Sequence, residues 1–82
     1  MTNEELAPLF AGTNFGHTDY QEIVLEGLIK VATKYHNGYT LESILKNNGF
    51  IKSTVARRAL TDKGRKLLWD LYDDLKKSSL QN

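Results

Sequence analysis

The sequence contains no cysteine, which excludes disulfides, thiolate metal ligands and thiol nucleophiles and fits a reducing, cytoplasmic compartment. No apolar run approaches the roughly 20 residues that cross a bilayer, and the opening MTNEELAPLF carries two acids where a secretory signal carries bases. Proline occurs once, and there is no low-complexity tract or internal repeat, so the composition predicts a chain folded nearly throughout. His17 and His36 are far apart, with no carboxylate spacing to complete a metal site. Asp73 and Asp74 are adjacent, so on a helix they point in different directions and make no opposed acid–base pair. Gly12 and Gly16 lack the preceding strand of a phosphate loop. These absences predict a protein that is no enzyme, with no metal, no cofactor and no membrane span.

What is present is one domain's worth of chain with its charges segregated. Its 82 residues predict a single domain over 1–82 with a modest core, frayed at 78–82 and helped by a partner subunit. Net charge is +1, yet Met1 to Lys30 holds five acids (Glu4, Glu5, Asp19, Glu22, Glu26) against Lys30 alone. From Lys46 to Lys66 there are seven bases (Lys46, Lys52, Arg57, Arg58, Lys63, Arg65, Lys66) against Asp62, a local excess of 7 − 1 = +6. Such a block is the electrostatic footprint of phosphate-backbone binding; the plainer alternative is a solvated helix face.

Hydrophobic periodicity predicts a mainly α protein of four to five helices. Thr2 with Glu5 makes a capping box for a short helix ended by Gly12, and Thr18 with Gln21 makes a second. The second opens a long core helix whose Tyr20, Val24, Leu25, Leu28, Ile29, Val31, Ala32 and Tyr35 share one side, with Asn37-Gly38 as its left-handed stop. Thr40 is expected to cap a third helix, LESILKNN, that Gly49 ends. A last helix runs from about Asp62 to Lys77 with Leu67, Leu68, Leu71, Tyr72 and Leu75 on one face. Aromatic residues at helical spacing, Tyr20, Tyr35 and Tyr39, are expected to fill the core rather than stack on bases.

The segment GFIKSTVARRAL between the last two helices reads in two ways. As a helix over STVARRAL, with Val55, Ala59 and Leu60 inward and Arg57 and Arg58 outward, it resembles the helix-turn-helix of bacterial and phage repressors: Gly49 in the turn, Phe50 after it, then Ser53-Thr54-Val55-Ala56-Arg57. As a β-hairpin at about 50–61, LKNNGFI followed by ALTDKGRKLL resembles the end of the recognition helix, the wing and the closing helix of winged-helix regulators. Both resemblances imply double-stranded DNA as the partner, contacted by Lys52, Ser53, Thr54, Arg57, Arg58, Lys63, Arg65 and Lys66. They imply a transcriptional regulator of the kind bacteriophages and mobile elements carry. The other functional class is a helical adaptor or inhibitor that occupies a host protein through the acidic front or the last helix. Trp69 lies outside the apolar face of that helix, so a homodimer through Trp69, Tyr72 and Leu75 is expected; the alternative is that Trp69 packs on Leu6, Leu9 or Phe10.

Overall fold

The structure, a computed structural model, describes residues 1–16 and 19–80, the last three as backbone only. Thr2 opens α1 (Asn3–Leu6): its hydroxyl accepts from the Glu5 N–H at 3.1 Å, and the Glu5 carboxylate accepts from the Thr2 N–H at 2.9 Å. That reciprocal capping box holds the Glu5 carboxyl below its usual pKa. A 3₁₀ turn, Ala7–Phe10, follows directly, with Pro8 in its first turn where a missing N–H costs nothing. Gly12 then leaves the helical path at φ 78°.

Helix α2 (Tyr20–Ala32) is capped by Asp19, whose carboxylate accepts from the Glu22 N–H at 3.3 Å. The expected cap, Thr18, and His17 lie outside the described residues. The predicted stop at Asn37-Gly38 is corrected. The helix ends at Ala32 because Lys34 takes φ 68°, with the Lys34 N–H donating to the Val31 carbonyl at 3.3 Å and the Tyr35 N–H to the Lys30 carbonyl at 2.7 Å. That is a Schellman motif with lysine in the position glycine usually holds, at a cost of about 1 kcal/mol. The Lys34 ammonium reaches the Arg58 carbonyl at 3.3 Å, which gives the strained residue a tertiary anchor.

Helix α3 (Tyr39–Asn47) starts two residues earlier than expected: Gly38 is the cap, without a side-chain bond, and Thr40 lies inside the first turn. Its end is the predicted one. Gly49 takes φ 78°, its N–H donates to the Lys46 carbonyl at 3.1 Å, and the Phe50 N–H donates to the Leu45 carbonyl at 2.9 Å. Phe50 and Ile51 are then both buried.

After Gly49 the chain forms an antiparallel hairpin, β1 (Ile51–Ser53) with β2 (Arg58–Leu60), in the register Ile51 to Leu60, Lys52 to Ala59 and Ser53 to Arg58. The hairpin alternative is therefore the one that forms. No helix spans 53–60, and Val55, which the helical reading placed inward, is fully exposed at the tip. The loop contains no glycine or asparagine and no residue at positive φ. Thr54 closes it instead: its N–H donates to the Arg57 carbonyl at 2.7 Å, and its hydroxyl accepts from the Arg57 N–H at 3.1 Å.

Helix α4 (Asp62–Leu80) runs further than expected, through part of the segment read as frayed; Gln81 and Asn82 lie outside the described residues. It packs most extensively on α2, with α3 and the hairpin laid against that pair. Leu6 and Phe10, Val24, Leu25, Leu28 and Val31, Ile44 and Leu45, Phe50 and Ile51, and Leu67 and Leu71 form the core. Tyr20 stacks on Phe10 at 4.7 Å between ring centroids, whereas Tyr35, Tyr39, Ile29 and Tyr72 are exposed, so the apolar stripe read from periodicity is wider than the face that buries. Among the described residues no helix is long and apolar enough to cross a membrane, and no group of three or more His, Asp or Glu is placed to hold a metal.

Candidate nucleic-acid interface

The hairpin is held to α3 by a part-buried ion pair. The Arg58 guanidinium donates to both oxygens of the Glu42 carboxylate, with Nη2 2.8 Å from Oε1, and the two side chains are only about one-fifth exposed. The Arg58 hydrogen bonds hold Glu42 below the usual carboxylate range, helped by the Asn37 amide at 3.1 Å, and the same pair raises Arg58. Arg58, expected at the DNA surface, thus stitches β2 to α3.

Two further bases of the block serve the start of α4. The Lys63 ammonium donates to the Asn48 carbonyl at 2.9 Å and lies 4.8 Å from the Phe50 ring centroid. Arg65 pairs with Asp62 one turn earlier and reaches the Leu60 carbonyl at 3.4 Å. The Thr61 hydroxyl donates to the Gly49 carbonyl at 2.6 Å and accepts from the Gly64 N–H at 3.0 Å, which makes it the cap of α4. Gly64 lies so close to Phe50 that a Cβ there would fall inside the van der Waals shell of the Phe50 carbonyl, 2.9 Å from its carbon. The run Leu60-Thr61-Asp62-Lys63-Gly64-Arg65 is thus a clasp that fixes the α3–β1 corner to α4.

Lys46, Lys52, Arg57 and Lys66 remain: exposed, with no side-chain hydrogen bond or ion pair among the described residues. Strand alternation divides the hairpin. Lys52 and its partner Ala59 point to one face, where with Thr54, Arg57 and the edge of Leu60 they line a groove of about 340 Å³. Ser53, on the other, joins Tyr39, Glu42, Ser43, Lys46 and Asn47 of α3 around a groove of about 390 Å³. Of the eight residues expected at the DNA surface, Lys52, Ser53, Thr54 and Arg57 lie together on the hairpin, Lys66 is exposed on α4, and Arg58, Lys63 and Arg65 are occupied structurally.

The outer face of α3 was not among those eight. Leu41, Ile44 and Leu45 face inward, which leaves Tyr39, Ser43, Lys46 and Asn47 on one solvent-facing side at spacings of three and four. The signal for it was in the sequence, since the apolar positions of LESILKNN define the opposite face as polar. Comparison with family models, with curated proteins and with solved structures returns no match.

Proposed function

We propose that this chain is a sequence-specific, double-stranded-DNA-binding transcriptional regulator of winged-helix type, acting in the cytoplasm, with α3 as the element that enters the major groove and the 51–60 hairpin as its wing. The observation that carries the reading is the exposed polar face of α3, Tyr39, Ser43, Lys46 and Asn47, beside Ser53 of a hairpin whose other face bears two uncommitted cations, Lys52 and Arg57. A major groove about 12 Å wide admits one helix, where Asn47 has the donor and acceptor pair that matches an adenine edge and Ser43 can serve either kind of partner. Lys46, Lys52, Arg57 and Lys66 are suited to phosphates along both sides. The Glu42–Arg58 pair ties the wing to the helix, which would limit the ordering needed at binding.

The deciding experiment is a shift assay on random duplex DNA at low salt, followed by selection of preferred sites. Engagement of four to five phosphates gives a log–log salt slope of about −4 at about −0.9 per phosphate. Asn47→Ala is expected to reduce discrimination between sites by about 1–3 kcal/mol. A flat salt dependence, with retention of a protein partner, would favour the adaptor or inhibitor reading instead.

A further inference from the structure

Helix α4 carries a stripe that no part of the chain covers among the described residues. Asp62, Arg65, Trp69, Tyr72, Asp73 and Lys76 fall within an arc of about 100° on a helical wheel, and all six are exposed, Trp69 at 61% and Tyr72 at 44%. The core residues of the same helix, Gly64, Leu67 and Leu71, lie on the other side, and Leu75 packs towards them. Trp69 and Tyr72 meet edge to face at 5.8 Å, forming one aromatic ledge in the middle of the stripe. Its ends are charged in a particular order: acid, base, aromatic ledge, acid, base.

We infer that this stripe is the interface for a second copy of the chain, with two α4 helices packed antiparallel about a two-fold axis at Trp69. Charge complementarity selects both occupant and register. Reflection about position 69 sets Arg65, which pairs with Asp62 in its own chain, also against Asp73 of the partner subunit, and that Asp62 against Lys76 of the partner subunit, each twice, with Trp69 on Trp69 at the centre. In a parallel, in-register pair every charge meets its like. An antiparallel pair centred midway between Trp69 and Tyr72 sets Arg65 against Lys76. The stripe's two acids and two bases sum to zero, so it offers no net attraction to DNA or to a strongly charged protein, whereas its order of charges is complementary to itself. The dimer replaces the interface drawn from sequence in one respect: Leu75 belongs to the fold, and Arg65 and Asp73 take its place.

The test needs no DNA and therefore stands or falls separately from the proposed function. Sedimentation of the full chain should show a reversible monomer–dimer equilibrium at tens of micromolar. Arg65→Asp or Asp73→Arg alone turns two attractions into two repulsions and weakens association about tenfold. Both substitutions in one chain restore the complementary pairs and bring the dissociation constant back to within about threefold of the parent. Because the chain has no cysteine, Trp69→Cys creates a single thiol at the two-fold axis, which should form a disulfide-linked dimer under mild oxidation while Tyr35→Cys, exposed elsewhere, does not. Thermal melts report whether each variant is folded, and Asp73→Arg alone suffices if Arg65→Asp is not. A parent that stays monomeric at about 100 µM, or a dimer that ignores Asp73→Arg and is not cross-linked through position 69, overturns the assignment.

Discussion

Two groups of cations come from the same basic block and have opposite fates. Arg58, Lys63 and Arg65 have partners within the fold: a carboxylate across the hairpin, a carbonyl and an aromatic face at the α3–β1 corner, a carboxylate one turn back. Lys46, Lys52, Arg57 and Lys66 have none among the described residues. The first group shapes the surface that the second group charges. A local excess of charge in a sequence therefore measures the sum of two roles, and only the arrangement separates them.

The sharpest way to break the structural group is through the glycine it surrounds. Gly64→Ala would drive a methyl group into the Phe50 carbonyl, and because the obstacle is backbone on both sides no rotamer relieves it. A loss of at least about 3 kcal/mol is expected, read as a fall in the urea midpoint or as failure to fold. A fully stable Gly64→Ala variant would show that the clasp between the α3–β1 corner and α4 is not tight.

Arg58→Ala should cost about 1–2 kcal/mol, since it strips a hydrogen-bonded partner from the part-buried Glu42. Arg57→Ala, one residue away but exposed, should stay within about 0.5 kcal/mol of the parent. The pair also sets a pH dependence. Glu42 is depressed in the folded state, so its contribution is complete above the ordinary glutamate pKa and is lost as pH falls through the lower folded value. The stability gap between the parent and Glu42→Gln should accordingly be constant near neutrality and narrow below about pH 4 in denaturant titrations. A gap unchanged by pH would show that the carboxylate charge is not what ties β2 to α3.

The legible parts of the fold were those with local causes. The Thr2–Glu5 box and the Gly49 stop each depend on residues within one turn of one another, and periodicity reported α2 and α4 because each buries a stripe against the other. The hairpin was harder. STVARRAL is rich in helix formers, and what turns it into strands is non-local: Phe50 and Ile51 entering the core together, Glu42 receiving Arg58, and Thr61 bound to Gly49. Tertiary contacts of that kind override propensity and leave no mark on a window of sequence. The early end of α2 at Lys34 has the same cause, a left-handed lysine held by a contact with β2. In the candidate interface, the presence of the basic block was readable, but the division between paired and unpaired bases depends on which of them reach Glu42, outside the block, and Asn48 and Asp62, within it, and the first two contacts span 16 and 15 residues.

The smallest effect tests the unpaired group. Lys66 is exposed on the first turns of α4, beside the clasp and away from the α3 groove, so a contact from it would be to phosphate alone. Lys66→Ala should leave stability within about 0.5 kcal/mol of the parent, weaken binding to every duplex sequence by a similar factor, and reduce the magnitude of the salt slope by about 0.9, the share of one phosphate. Lys63→Ala gives the matched contrast. It removes a cation of equal charge three residues earlier, but that cation is already bound to the Asn48 carbonyl and the Phe50 ring, so stability should fall by about 1 kcal/mol while the salt slope changes less. If the two lysines instead alter slope and stability alike, charge alone governs the block, and its separation into structural and DNA-facing cations fails.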